Sequence, residues 1–149
     1  MKKLTELRLS YDQITDSTLA TLREAGLLHT LSRTSVPNNK RPRNAEEVTE
    51  LDLSGTRVTD AGLKELAALK KLTELNLQRT PITDAGLKEL AALQNLRKLQ
   101  LWNTRITDAG LKELARLKSL AVLCVGGTKV TQRGIAELRE ALPHCEIIP

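Results

Sequence analysis

The chain has 149 residues, of which 40% are hydrophobic, with no phenylalanine, one tryptophan and one tyrosine. This length predicts a single domain, and this composition predicts an aliphatic core built mainly from leucine. The formal net charge is +5, but four of these charges lie between Arg33 and Arg43, in a stretch without acids. The rest of the chain is nearly neutral, which excludes the distributed basic stripe typical of nucleic-acid-binding proteins.

Two cysteines, Cys124 and Cys145, are too few for a disulfide framework. On the repeat they fall three positions apart, about 10 Å along a strand, whereas a disulfide needs Cα atoms within roughly 7 Å. We therefore expect two free thiols and a cytoplasmic, reducing location. We expect no signal peptide, because Glu6 and Arg8 interrupt its apolar region. The longest uncharged run, residues 119–128, is about half as long as a membrane helix requires.

The sequence repeats itself with a period of 24 residues. A Leu-x-Leu or Leu-x-Val triplet recurs at this interval, at Leu51–Leu53, Leu75–Leu77, Leu99–Leu101 and Leu123–Val125. The segment Thr-Asp-Ala-Gly-Leu-Lys-Glu-Leu-Ala begins three times, at Thr59, Thr83 and Thr107. A fixed period of this length is typical of a solenoid, in which stacked repeats share one continuous core.

In chain order, residues 1–27 form the first predicted repeat. Leu7 and Leu9 alternate with polar residues, which predicts a short strand. Thr15 and Asp16 match the Thr-Asp pair that opens the later helices, so a helix is expected to begin there. The first repeat therefore has the same strand–helix order as the others.

Residues 28–47 have two competing interpretations. In one, Leu28 and Leu31 begin a degenerate repeat, but Arg33 then falls on an inward leucine position. In the other, the helix of the first repeat runs on through Leu31 and is followed by a basic loop over residues 34–44. Prolines and asparagines in that stretch are loop signals, so we favour the irregular helix extension and the basic loop.

Residues 48–143 contain four regular repeats, which start at Val48, Leu72, Leu96 and Leu120. Each opens with a strand whose residues at positions 4 and 6 point inward, while positions 3, 5 and 7 point outward. A threonine at position 9 is expected to bond the backbone of the neighbouring repeat. The Thr-Asp pair at positions 12 and 13 supplies a helix N-cap, and leucines and alanines then form the buried helical stripe.

The last repeat departs from this pattern. Gln132 and Arg133 replace the aspartate and alanine that open the other helices. Residues 144–149 then begin a further strand, with Ile147 at position 4. A proline in an edge strand blocks further pairing, so Pro149 makes this segment a predicted C-terminal cap strand.

These motifs resemble those of leucine-rich-repeat proteins. The pattern Leu-x-x-Leu-x-Leu-x-x-Thr-x-Ile that starts at Leu72 has Thr80 where that family usually has Asn or Cys. The Thr-Asp-Ala-Gly-Leu-Lys-Glu-Leu repeat resembles repeats of bacterial proteins and is similar to the cysteine-containing subtype. The resemblance implies a right-handed α/β solenoid with a parallel sheet on the concave face and full helices on the convex face. It also implies protein recognition on the concave face.

The sequence shows no catalytic constellation. His29 and His144 have no metal-ligand partners at suitable spacing, and the glycine pair at Gly126 lacks the pattern of a phosphate-binding loop. Acids on an open sheet, such as Glu50 and Glu74, lack the burial that raises a carboxyl pKa. We therefore expect a protein that is not an enzyme and that holds no metal or cofactor.

A partner-binding site is predicted on the outward positions of the strands. The N-terminal end of this face is acidic, whereas Trp102, Val122 and Cys124 make the other end apolar, on neighbouring strands about 4.8 Å apart. An exposed tryptophan ringed by polar residues is typical of an interface hot spot. Trp102 is also expected to lie over Gly126 and shield the next strand. The predicted site comprises Trp102, Gln100, Gln78, Asn76, Cys124, Val122 and Lys98.

A second predicted group lies at or just past the strand ends. Arg79, Arg105 and Lys129 form a secondary basic rim, with Arg133 close by in sequence. Two interpretations remain open for these cations. They are either scattered charges that keep the protein soluble, or a rim that meets an acidic surface and speeds association.

The expected function is binding of a protein or peptide on the concave sheet. One alternative is a structural segment of a longer solenoid without independent binding, because the first leucine layer would lie open. Another is weak nucleic-acid binding through the basic loop at Lys40–Arg43. We expect a monomer, or weak self-association through the N-terminal edge, and no membrane contact.

Overall fold

The computed structural model describes residues 7–31, 34–35 and 41–149. Glu6, Arg33 and Lys40 lie outside these residues, as do residues 36–40 of the basic loop predicted over residues 34–44, so the expectations for them stay predictions. None of the helices in the described part combines the length and apolar character needed to cross a membrane.

In the described part of the chain, one sheet contains six strands in sequence order. They are β1 (Thr34–Ser35), β2 (Glu50–Asp52), β3 (Glu74–Asn76), β4 (Lys98–Gln100), β5 (Val122–Cys124) and β6 (Glu146–Ile148). Strands β2 to β6 are parallel and pair at the repeat interval, so that Leu75 lies between Leu51 and Leu99. β1 is antiparallel to β2. The middle residue of each parallel strand is buried and faces the core, because strand residues alternate between the two sides of a sheet.

The second half of each repeat is helical. The α-helices are α1 (Asp16–Glu24), α2 (Asp60–Leu63), α3 (Asp84–Glu89), α4 (Asp108–Leu114) and α5 (Gln132–Ala141). Tighter 3-10 turns continue α2 over Lys64–Ala68 and α3 over Leu90–Ala92. The full helix that the resemblance implied is therefore split in these two repeats.

The core is one aliphatic column between the sheet and the helices, as the composition predicted. Each regular repeat inserts the same set of strand and helix side chains into it. Leu75 keeps 1% of its surface exposed, and Leu77 and Leu90 keep none. Burial of one leucine side chain stabilises the fold by about 1.5–3 kcal/mol, and stacking repeats this contribution layer by layer.

The segment after α1 corrects the predicted helix extension. α1 ends at Glu24, and Gly26 adopts a left-handed conformation (φ 67°) that commonly terminates helices. A 3-10 turn over Leu28–Thr30 precedes Leu31, which pairs in parallel with Leu7 of the first repeat. The helix extension through Leu31 is therefore wrong, and Leu31 occupies the strand position of a degenerate repeat.

The Thr-Asp-Ala-Gly motif joins each repeat to the next through a contact that we call the carboxylate clamp. Its threonine is the N-cap of its own helix, and both its N–H and its hydroxyl donate to the aspartate of the preceding repeat. Thr107 donates from N to Asp84 Oδ1 (2.8 Å) and from Oγ1 to Asp84 Oδ2 (2.6 Å). The same bonds join Asp16 to Thr59, Asp60 to Thr83 and Asp108 to Thr131. The threonine thus caps the helix of its own repeat, and the aspartate accepts hydrogen bonds from the following repeat.

The glycine of the motif leaves the space in which this carboxylate lies. A Cβ atom at Gly110 would fall 2.3 Å from Asp84 Oδ1, which is far inside van der Waals contact. The first helix has Thr18 at the glycine position, and the last has Gln132 at the aspartate position. In the described residues, the series of clamps therefore begins at Asp16 and ends at Thr131.

The threonines at position 9 do not form the inter-repeat ladder that we expected. Thr80 Oγ1 donates to the carbonyl oxygen of Leu77, three residues earlier in the same repeat, at 2.6 Å. Thr56, Thr104 and Thr128 make the equivalent bond. The prediction was wrong because the chain turns immediately after the strand, which brings each hydroxyl back to its own strand end. The bond satisfies a buried hydroxyl and closes the turn.

A double-mutant cycle should detect the clamp. Asp84→Ala removes two hydrogen bonds, and we expect it to lower the free energy of unfolding by about 2 kcal/mol. Gly110→Ala should also destabilise, although alanine normally stabilises a helix by about 1 kcal/mol relative to glycine. In the double variant the new methyl group enters the space of the missing carboxylate. Urea unfolding should therefore show a coupling of at least about 1 kcal/mol.

The matched control pairs Asp84→Ala with Gly86→Ala. A Cβ at Gly86 would meet Asp60, not Asp84. The losses of unfolding free energy in Asp84→Ala and Gly86→Ala should therefore add in the double variant. Additive losses for the Asp84 and Gly110 pair would contradict the clamp.

The clamp also predicts a dependence of stability on pH. Hydrogen bonds from the Thr131 backbone and then from its hydroxyl hold the pKa of Asp108 below the ordinary value of 3.8. Because this pKa is lower in the folded state, its contribution is fully present above the unfolded pKa and is lost as pH falls through the folded value. We expect urea unfolding to show a loss of stability below pH about 4, with a smaller loss in Asp108→Asn. Equal acid slopes for the two proteins would contradict this assignment.

Candidate functional site

The outward residues of the parallel strands form one continuous surface, which we call the sheet face. Strand pairing places Asn76 beside Gln100 and Gln100 beside Cys124, in one row. Positions 3 and 7 of the repeats form rows on either side of it. The sheet face consists of Glu50, Glu74, Lys98, Val122 and Glu146, then Asp52, Asn76, Gln100, Cys124 and Ile148, then Ser54, Gln78, Trp102 and Gly126.

Amide side chains occupy the middle of the sheet face. Asn76 Oδ1 accepts a hydrogen bond from the backbone N–H of Gln78 at 3.0 Å. Gln78 Nε2 in turn donates to Gln100 Oε1 on the next strand. Each amide carries two N–H donors and an oxygen with two lone pairs, so these bonds leave further hydrogen-bonding capacity. The three amides form an ordered polar row.

Trp102 lies at the edge of the sheet face with 43% of its surface exposed. Its indole covers Gly126, since a Cβ atom there would lie 3.1 Å from Nε1 and 3.2 Å from Cε2. The predicted shielding of the next strand is therefore present together with the predicted exposure. One face of the ring therefore packs on the neighbouring strand, and the rest stays accessible to a partner.

Three partly buried side chains extend the apolar surface beside Trp102: Val122, Cys124 and Ile148. Burial raises the pKa of the Cys124 thiol above its ordinary value of 9.0, so the side chain is neutral at pH 7 and acts as a small apolar group. Ile148 and Glu146 lie opposite Cys124 and Val122 but were missing from the predicted site. Both residues could have been found from the sequence by extending the 24-residue interval into β6.

The other end of the sheet face is acidic. Glu50, Asp52 and Glu74 line a shallow depression of about 240 Å³. Lys98 Nζ lies 3.7 Å from Glu74 Oε2, and exposed pairs of this kind contribute little free energy. The sheet face therefore changes from acidic at β2 to mainly apolar at β5 and β6, where Glu146 lies beside Val122.

A row of exposed cations follows the C-terminal ends of the strands. We call Arg57, Arg79, Arg105 and Lys129 the basic rim. Arg57 was not part of the predicted rim, although it has the same repeat position as Arg105. Arg133, which lies close to the rim in sequence, instead pairs with Glu137 of its own helix at 2.9 Å.

Arg79 adopts a backbone conformation that is unfavourable for residues other than glycine. Its φ of 55° is left-handed, and the equivalent positions hold Gly55, Asn103 and Gly127. Its N–H donates to the carbonyl oxygen of Trp102 at 2.8 Å, as part of the backbone ladder between repeats. The left-handed conformation costs a non-glycine residue about 1–2 kcal/mol, and the ladder imposes it on Arg79.

The described residues show no metal centre. No group of His, Cys, Asp and Glu side chains within residues 7–31 and 41–149 is arranged to hold a metal ion. Cys124 and Cys145 are both free thiols, as predicted. Burial also raises the pKa of Cys145 above its ordinary value of 9.0, so the thiolate is disfavoured at both positions.

Replacing Arg79 with glycine should stabilise the protein. Relief of the left-handed strain, partly offset by the backbone entropy of glycine, should raise the free energy of unfolding by up to about 1 kcal/mol. Arg105→Gly is the control, because Arg105 does not have a positive φ and glycine there should destabilise. Urea unfolding measures both changes, and a loss of stability in Arg79→Gly would contradict the strain assignment.

Comparison with known sequences supports the repeat pattern. The sequence model of the Leucine Rich repeat family matches residues 48–67, 68–91 and 92–115. No match was found among curated protein sequences. The matched segments cover most of the regular repeats and support the pattern from which the sheet face is built.

Solved structures share the fold. A leucine-rich-repeat protein of Leptospira interrogans is 28% identical with a TM-score of 0.59, over 84% of this chain and 33% of its own. Internalin C2 of Listeria monocytogenes is 30% identical with a TM-score of 0.57, over 68% of this chain and 41% of its own. Actin-binding site 2 of leiomodin-1 is 22% identical with a TM-score of 0.59, over 94% of this chain and 79% of its own, a likeness of fold alone. The chain thus spans 33% and 41% of the length of the two bacterial proteins.

Proposed function

Because the chain folds as a leucine-rich-repeat solenoid, we propose that it is a non-enzymatic protein-interaction module that binds a protein or peptide on its sheet face. The observation that carries the proposal is the exposed indole of Trp102, placed between the amide row and the apolar end. An aromatic anchor within a polar surround is the usual composition of an interface hot spot. The proposed contact residues are Trp102, Gln100, Gln78, Asn76, Cys124, Val122, Lys98 and Ile148.

The dimensions of the sheet face suit a modest interface. Five parallel strands spaced about 4.8 Å apart give a surface roughly 20 Å wide. Together with the adjoining rim, this is enough for an interface of about 800 Å² per partner. The amide row is held by hydrogen bonds and the indole by Gly126, so binding requires little ordering of the site, which favours affinity.

Two further observations support protein recognition in a reducing compartment. The leiomodin-1 segment with the same fold is an actin-binding site, which supports a protein partner without indicating actin here. Cys124 and Cys145 are free thiols, which suits a cytoplasmic location. The cytoplasmic location and the monomeric state are parts of this proposal.

Trp102→Ala tests the proposed face. The variant should remain folded, because the ring packs on a surface glycine, and its affinity for the partner should fall at least about tenfold. Immobilised wild-type protein would be used to isolate a partner, and calorimetry with the purified partner would compare the variants. Lys88→Ala, on the exposed side of α3, is the control and should bind like wild type. Equal affinity for wild type and Trp102→Ala would show that the partner binds elsewhere.

A further inference from the structure

We propose that the basic rim binds acidic side chains of the partner, so that the ligand of this protein is an acidic protein segment with an apolar residue that packs on Trp102. This inference rests on the proposed function, since it assigns the chemistry of the partner that the sheet face binds. It adds the rim to the interface and predicts the order of charged and apolar groups along the ligand.

Each regular repeat contributes one cation to the basic rim. Arg57, Arg105 and Lys129 occupy position 10, and where Pro81 replaces the cation, Arg79 stands two residues earlier. No acidic residue occurs within residues 54–58, 78–82, 102–106 or 126–130. In all four regular repeats, the segment just past the strand therefore carries positive charge only.

Backbone hydrogen bonds hold the rim at fixed spacing. The N–H of Arg105 donates to the carbonyl oxygen of Ile82, and that of Lys129 to Ile106, both at 2.9 Å. The main chains of neighbouring rim residues are consequently separated by about one or two strand spacings of 4.8 Å. Side chains of like charge that start at this interval repel one another, and an anionic partner relieves that repulsion.

The rim cations are available to a partner. Within the described residues, the side chains of Arg79, Arg105 and Lys129 make no hydrogen bond or ion pair. Arg57 lies near Asp12 and contributes to lowering the pKa of that carboxyl, so the argument stands on the other three. Asp60, Asp84 and Asp108 follow the rim residues in sequence, but their carboxylates accept hydrogen bonds from the clamp threonines and pair with none of these three cations.

The rim is continuous with the apolar anchor. Arg79 donates its backbone N–H to the carbonyl oxygen of Trp102, and Arg105 follows Trp102 by three residues. One short segment can therefore place acids on the rim and an apolar side chain on the indole. The acids of the ligand are therefore expected at the rim, next to the apolar side chain that packs on Trp102.

These features favour a protein segment over a nucleic acid. A polyanion that crosses the sheet face would meet the acidic depression at β2. Single-stranded nucleic acids stack successive bases on several aromatic side chains, and Trp102 is the one tryptophan of the chain. Nucleic-acid binding is therefore treated as a rival outcome of the test.

The test uses synthetic peptides and the single tryptophan as the reporter. The probe is a peptide of Asp-Glu-Leu triplets, compared with Lys-Lys-Leu and Asp-Glu-Ser peptides and with oligothymidylate. Nuclear magnetic resonance follows the indole N–H of Trp102 and the backbone amides of Arg79, Arg105 and Lys129. The Asp-Glu-Leu peptide should shift all four signals, bind most tightly of the probes, and weaken several-fold between about 50 and 300 mM salt.

Two variants that lose the same net charge separate the effect of the rim from the effect of net charge on binding. The rim variant carries Arg79→Gln, Arg105→Gln and Lys129→Gln, and should bind the Asp-Glu-Leu peptide about tenfold more weakly at low salt. The control replaces Lys70, Lys71 and Arg97 with glutamine. These exposed cations lie where the strands begin, and the control should stay within about twofold of wild type.

Arg79→Gly separates binding from stability. It removes one rim charge and relieves the left-handed strain, so it should raise the melting temperature while weakening peptide binding about threefold. A merely structural role for Arg79 would not weaken binding in a variant that is more stable than wild type.

Three results would overturn the inference: no shifts with the Asp-Glu-Leu peptide, equal weakening in the control variant, or tighter binding of oligothymidylate through the rim. Binding of the isolated partner tests the proposed function separately from the acidic ligand. If Trp102→Ala loses the isolated partner while the rim variant retains it, the sheet face is correct and the acidic ligand is wrong. If Trp102→Ala retains that partner, the sheet face itself is wrong.

Discussion

The carboxylate clamp is the side-chain contact that aligns the helical half of each repeat with the next, while the backbone ladder aligns the strands. An aspartate at the start of one helix accepts two hydrogen bonds from the threonine that caps the next helix, as Asp84 does from Thr107. The glycine of that next helix leaves room for the carboxylate. Leucine burial alone would tolerate small shifts between layers, because it has no direction. The clamp requires one distance and one orientation, and together with the backbone ladder it fixes how each layer lies on the one before.

Alignment of the layers creates the surfaces that we propose for binding. Residues that occupy the same repeat position become neighbours, so the sequence can place chemically distinct rows side by side. Position 5 provides Asn76, Gln100 and Cys124, and position 7 provides Gln78, which completes the amide row, and Trp102. Position 10 provides most of the basic rim, beyond the strand ends. A partner that binds across these rows would recognise the order of amide, apolar and basic groups. The solenoid contributes to binding chiefly by keeping the rows aligned.

The sequence allows prediction of what depends on the period alone. The parallel pairing, the aliphatic column and the row of Asn76, Gln100 and Cys124 all follow from the repeat interval. Contacts between different repeat positions were missed, because periodicity does not show that Asp84 reaches Thr107 and Gly110. Leu28 and Leu31 fit a helix as well as a strand, and only the left-handed turn at Gly26 decides between them.

Amide hydrogen exchange at the capping threonines tests the clamp most directly. The first N–H groups of a helix have no intrahelical acceptor and normally exchange with water readily. If the carboxylates hold them, the amides of Thr83, Thr107 and Thr131 should exchange as slowly as the ladder amides of Leu77 and Leu101, which bond to the next strand. Exchange of these threonine amides at the rate of an unprotected peptide would contradict the account.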